Sequence, residues 1–167
     1  MTKEETAKKE KKLITKIKIL NDGTAYIEYK SSDDLGTGDV KRSGTEKVTE
    51  EFSEKFQNTV EGFLGCVPTL SKDKKDIVMN AIKFDYGKTD KLQNVLYSVK
   101  YHFNKADNAV INISTPNLPI YREEFDEKTF CVNGVHEALL YELLDLAKKY
   151  LAGDTRTKQM KLEVVND

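Results

Sequence analysis

Chemistry at neutral pH needs a histidine, an activated cysteine, paired carboxylates or cations held at a fixed spacing. This chain offers little of the first three. It has two histidines, His102 and His136, and two cysteines, Cys66 and Cys131. No CxxC, HxxxH or HExxH spacing links them, so no metal motif is present and no cofactor is expected. His136 lies in Cys131-Val132-Asn133-Gly134-Val135-His136-Glu137, at the first turn of an expected helix, where it reads as a surface or cap residue. There is no GxSxG, and neither cysteine has a base beside it in sequence. Glu50-Glu51 and Glu123-Glu124 are pairs that a chain with 28 acidic residues places on a solvated face. An enzyme is not the favoured reading.

The cations are more informative. Gly36-Thr37-Gly38-Asp39-Val40-Lys41-Arg42-Ser43-Gly44 resembles a phosphate cradle but lacks the GxxxxGK[ST] spacing, so it is not a P-loop. A loop closing over an anion through Lys41, Arg42 and backbone N–H groups is the functional reading, and a plain linker is the bland one. Only Arg42, Arg122 and Arg156 are arginine among 27 basic residues. All three fall in expected loops, and guanidinium suits bidentate recognition of phosphate or carboxylate. A lysine bias of the kind AT-rich coding produces accounts for their scarcity equally well. Lys100 and His102, on the outward parity of a strand, complete the anion candidates. Tyr86, Tyr97, Tyr101 and Phe103 are of the type that stacks bases. They share parity with Ile82, Phe84, Val95 and Val99, which assigns that face to the core.

The elements that must position these residues follow from periodicity. Leu13–Leu20 alternates, as does Ala25–Lys30, and Asn21-Asp22-Gly23-Thr24 between them predicts a hairpin with a type I′ turn. Ser31–Lys47 reads as a long loop. Thr49 is expected to cap a helix carrying Phe52, Phe56, Val60 and Phe63 or Leu64 on one stripe, stopped by Gly65 and Pro68. Ile77–Tyr86 is a strand. Gln93–Thr115 is a hairpin around Asn104-Lys105-Ala106-Asp107-Asn108, ended by Pro116 and Pro119. The acidic stretch from Ile120 to Phe130 is expected to wrap the outside. Asn133 then caps a second helix with Val135, Leu139, Leu143, Leu146 and Tyr150 on one face, ended by Gly153. Leu140, Leu144 and Leu151 widen that face, which marks them as candidates for an oligomer contact. Met160, Leu162 and Val164 suggest a last strand. The order ββ-α-βββ-α-β gives an α+β fold with a mostly antiparallel sheet of about six strands and two helices. Residues 1–12 form a charged tail, and 13–167 a single domain.

Composition bounds the rest. With 167 residues, a charged fraction of 33% and a net charge of −1, there is no global field to attract nucleic acid or anionic membrane. No apolar run approaches the roughly 20 residues a bilayer span needs, and Met1–Lys12 lacks a signal-peptide core. A cytoplasmic protein with reduced thiols is expected.

The runs Lys16-Ile17-Lys18-Ile19 and Tyr26-Ile27-Glu28-Tyr29, the segment Ser114-Thr115-Pro116-Asn117-Leu118-Pro119 and the closing Lys149-Tyr150-Leu151-Ala152-Gly153 together resemble small accessory proteins of tailed phages and prophages. The resemblance implies a phage-encoded, cytoplasmic accessory product. The leading expectation is a homo-oligomeric binding protein that blunts a host defence, by sequestering a nucleotide-like signal or by covering a host defence protein. The alternative, less favoured on charge, is a nucleic-acid-binding factor of phage recombination or replication, which requires a contiguous basic groove with exposed aromatics. A small enzyme acting on a nucleotide or peptide ranks third.

Overall fold

The computed structural model describes residues 11–33, 36–104, 108–126 and 131–153. Two antiparallel meanders build one sheet. The first is β1 (Lys11–Ile19), β2 (Thr24–Asp33) and β3 (Gly36–Lys47). The second is β4 (Ile77–Asp85), β5 (Asn94–Asn104) and β6 (Ala109–Ser114), with the two-residue β7 (Leu118–Pro119) pairing with the start of β5. The strand order is β3-β2-β1-β4-β5-β6. The meanders join where β1 meets β4, through the pairs Lys16↔Lys83 and Ile17↔Ile82.

The two faces of the sheet differ. Ile14, Ile17, Ile27, Ile82, Val95, Tyr97 and Val99 are buried beneath the helices. Fully burying a side chain of this size contributes about 1.5–3 kcal/mol, so this face holds the fold together. The helical layer consists of α1 (Glu50–Asn58), α2 (Val60–Cys66), a 3-10 helix (Pro68–Asp76) and α3 (Gly134–Ala152). α1 packs on α3 and β4, α2 on β4 and β5, and α3 on β1. The fold is α+β with an antiparallel sheet, as periodicity predicts, with one more strand and one more α-helix than expected. Among the described residues no helix is long and apolar enough to cross a membrane.

Local signals act as expected at several points. The Thr49 hydroxyl accepts from the Phe52 N–H at 3.2 Å, and Gly153 ends α3 in the left-handed region at φ 82°. Asn133 is the N-cap of α3 by backbone geometry, but its side chain makes no capping bond.

Other expectations are corrected. Residues 36–47 are not a loop but β3, whose ladder with β2 supplies the backbone bonds that its glycines and polar residues do not advertise. The first turn is not type I′: Gly23 has φ 84°, whereas Asp22 has no positive φ and instead accepts from the Thr24 N–H and hydroxyl. These two bonds hold the Asp22 carboxyl below its ordinary range. The first helix breaks at Thr59, whose hydroxyl donates to the Phe56 carbonyl at 2.5 Å.

Phe103 is exposed, because a bulge between His102 and Asn104 breaks the alternation that assigned it to the core, while Tyr101 stays in register with Ile77 and Ile111 and is half-buried. Leu140, Leu144 and Leu151 are buried within the chain and do not form an oligomer surface. α3 is apolar over a wide arc because it is wedged between α1 and the sheet. Lys11 and Lys12 belong to β1, not to a tail, with the Lys12 ammonium 5.4 Å from the centre of the Tyr29 ring. The expected last strand at Met160–Val164, residues 1–10 and the end of the acidic stretch, 127–130, lie outside the described residues.

Candidate functional site

The described helices all pack on one face of the sheet, and among the described residues the second face is open. Residues directly opposite in an antiparallel ladder share a face, so the pairing defines that surface row by row. One row runs Lys41, Glu28, Lys16, Lys83, Leu96 across five strands. The next runs Ser43, Tyr26, Lys18. On the other side lie the rows Ala81, Ser98, Ser114 and Val78, Lys100, Asn112.

Lys16, Lys18 and Lys83 converge on a shallow groove of about 210 Å³, with Asn80, Ala81, Leu96, Ser98 and Ser114 as the remaining walls. A bulge in β4 between Met79 and Ala81 places Asn80 and Ala81 consecutively on this surface. The Ser114 hydroxyl donates to that of Ser98 at 3.2 Å. Among the described residues no carboxylate lines the groove.

Glu28 stands opposite Lys16 on the β2 side, and Lys18, Lys83 and Lys100 have no such neighbour in the pairing. These three form no ion pair among the described residues, whereas Lys11–Asp90, Lys55–Glu142 and Lys74–Glu61 do. The Lys16 ammonium lies 5.8 Å from the centre of the half-buried Tyr26 ring. Glu28, the one carboxylate of the lysine row, accepts from the Tyr26 hydroxyl at 2.8 Å. That bond, with some loss of hydration and the Glu28 charge, raises the Tyr26 phenol above its ordinary value. Like charges directly opposite on neighbouring strands repel. The opposition of Lys16 and Lys83 across the β1–β4 join is thus an arrangement that a bound anion would favour.

The candidates read from sequence are dispersed. Lys41 stands on the open face at the far end of the lysine row, while the adjacent Arg42 turns to the helical side and donates to the Leu151 carbonyl at 3.4 Å. They do not close on a common anion. The cavity beside Arg42, walled by Gly44, Glu46, Tyr150 and Gly153, is about 20 Å³, room for a single water. Arg122 is exposed in the turn after β7, and Arg156 lies outside the described residues. Lys100 and His102 are on the open face as expected.

Lys16, Lys18 and Lys83 were not among those candidates. Their outward parity, opposite to Ile17, Ile19, Ile82 and Phe84, was the available signal, but only the joining of β1 to β4 brings them together. Among the described residues no cluster of His, Cys, Asp and Glu is placed to hold a metal ion. Cys66 and Cys131 are both free thiols, and burial pushes the Cys66 thiol up.

Comparison with protein-family models, with curated proteins and with solved structures yields no match to this chain.

Proposed function

We propose that this chain is a binding protein that lays a phosphate-bearing strand, a single-stranded nucleic acid, across the open face of its sheet. The observation that carries the reading is the direct opposition of Lys16 and Lys83, with Lys18 beside them, in a groove free of carboxylates among the described residues. Such a surface offers ammonium groups to successive phosphates and releases counterions when it is occupied. Serine and asparagine walls add hydrogen bonds that do not depend on base sequence, and Tyr26 at the margin offers a ring face. The groove is shallow, and no described helix or ribbon rises from it to enter the major groove of a duplex, so the reading favours single strands.

The chain's overall charge of −1 argued against nucleic acid, but charge summed over a whole chain averages away a one-sided surface. In the phage setting that the resemblance implies, the protein serves as an accessory factor of recombination or replication. Antagonism of a host defence by capture of a nucleotide-like signal would use the same phosphate recognition, but needs a deeper enclosure than this groove.

Fluorescence anisotropy with labelled single-stranded and duplex DNA, titrated over a range of salt, tests the proposal. Tighter binding to single strands, weakening steeply with salt and lost in Lys16→Ala/Lys83→Ala, is expected. Affinity unchanged in that double variant would refute it, and tight binding of a mononucleotide without strand binding would return the signal-capture reading.

A further inference from the structure

We infer that β6 is a self-association edge, and that two copies of this chain pair β6 to β6 in antiparallel fashion to continue the sheet. This inference does not depend on the ligand of the open face. β6 is the outermost strand on its side, hydrogen-bonded to β5 alone among the described residues. An outer strand presents a row of unpaired N–H and C=O groups, and stable monomers blunt it with lysine, proline or a bulge. The other edge, β3, is blunted in this way by Lys41, Arg42, Lys47 and the bulge at Gly44–Glu46.

β6 has no lysine or proline, and the bulge of its ladder lies in β5. The β6 sequence, Ala109-Val110-Ile111-Asn112-Ile113-Ser114, contains no charge, no glycine and no proline. Among the described strands longer than two residues, it is the only one without a charged side chain. Both of its faces show apolar side chains to solvent: Val110 is 40% exposed and Ile111 45%. Phe103, 53% exposed, extends this patch from β5, its ring 6.1 Å from that of Tyr101.

Charge and symmetry decide the occupant. A neutral strand meets a copy of itself without like-charge repulsion, whereas a β3–β3 contact brings Lys41, Arg42 and Lys47 of two copies together. Antiparallel pairing of one segment with itself also closes on a two-fold axis, so it ends at a dimer and not a filament. With that axis perpendicular to the sheet, residues opposite each other lie on the same face, and apolar Val110 and Ile111 meet uncharged partners. The same axis places the open faces of both copies on one side. Same-face pairing sets residues of equal parity against each other, so at most five of the six residues of β6 pair, and this small interface makes the dimer a reversible one.

Sedimentation velocity of the full chain across a dilution series tests this. The wild type is expected to approach twice the chain mass of 19.0 kDa as concentration rises, and amide exchange in Ala109–Ser114 to slow in parallel. Ile111→Lys and, independently, Val110→Lys are expected to remain monomeric at every concentration with far-UV circular dichroism unchanged. Their exposed positions make both substitutions compatible with folding, and either one that folds suffices. A wild type that stays at the single-chain mass, a dimer that persists in a folded lysine variant, or a dimer with unchanged β6 exchange would overturn the inference.

Discussion

A Cβ atom built on Gly44 would stand 1.7 Å from the hydroxyl oxygen of Tyr150, a distance no side chain can occupy. The contact has a purpose. Between the pairs Thr24↔Lys47 and Tyr26↔Ser43 the β2–β3 ladder skips, because β3 carries extra residues at Gly44–Glu46 opposite Ala25. A bulge of this kind strands backbone groups. The Tyr150 hydroxyl takes up both, donating to the Glu46 carbonyl at 2.6 Å and accepting from the Ala25 N–H at 3.2 Å. Its ring meets Phe52 edge-on at 6.1 Å, so one side chain ties the end of α3 to α1 and to the outer meander.

Gly44→Ala is therefore expected to cost about 1–3 kcal/mol through overpacking, and Tyr150→Phe about 1–3 kcal/mol through the stranded backbone groups. Because both changes disturb the same contact, their effects should be markedly non-additive. Urea denaturation of the two single variants and the double variant measures this. Strict additivity would show that Gly44 is not held open by Tyr150.

Gln57 on α1 plays the part of a missing strand. β1 pairs with β4 only at Lys83 and Ile82, which leaves the first half of β4 without β1 beside it. There the Gln57 amide donates to the Ile77 carbonyl and accepts from the Met79 N–H, each at 3.0 Å, as a neighbouring strand would. Gln57→Ala is expected to destabilise the fold by about 1–3 kcal/mol. Gln57→Glu should cost at least as much, since it removes the donor and sets a carboxylate against a carbonyl. A melting temperature unmoved in both variants would contradict this role.

How much of this was legible beforehand depended on whether the determining contact is local. The Leu13–Tyr29 hairpin, the capping of α1 by Thr49 and the stop at Gly153 are local, and alternation, a hydroxyl and a glycine reveal them. β3 was hidden because Asp39, Lys41, Arg42 and Glu46 are polar on both parities, so only the available edge of β2 makes that segment a strand. Phe103 was misplaced by a bulge that shifts parity without altering the residue pattern. The lysine groove was the hardest to read. Lys16 and Lys83 meet only because the two meanders join at β1 and β4, and nothing near either residue encodes that joining.

Alkaline pH should expose the buried phenols. Burial raises Tyr97, with a smaller contribution from the Cys66 thiol, and it raises Tyr86, with a smaller one from Tyr141, both far above the ordinary phenol value. The unfolded chain releases both protons near pH 10 while the folded chain keeps them. Their contribution is thus fully present below pH 10 and is lost as pH rises beyond it, at up to about 1.4 kcal/mol per pH unit for each tyrosine. Tyr97→Phe should flatten that slope by the share of one group. Denaturation midpoints collected from pH 8 upward, alongside tyrosinate absorbance, measure this. Rapid ionisation of all tyrosines near pH 10 in the folded protein would disprove it.

The groove lysines allow function and stability to be separated. Lys83→Glu sets a carboxylate opposite Lys16 across the β1–β4 join, so a like-charge pair becomes an opposite-charge pair on an open face where no packing is lost. Thermal stability should stay level or rise slightly, and less so at high salt, where the pair is screened. Binding of single-stranded DNA should fall sharply, since the substitution removes one phosphate contact and repels its neighbour. Lys83→Gln should lower the slope of log affinity against log salt by about one, the signature of a single lost phosphate contact. A purely structural role for Lys83 would give the reverse pattern: stability would change and the salt slope would not.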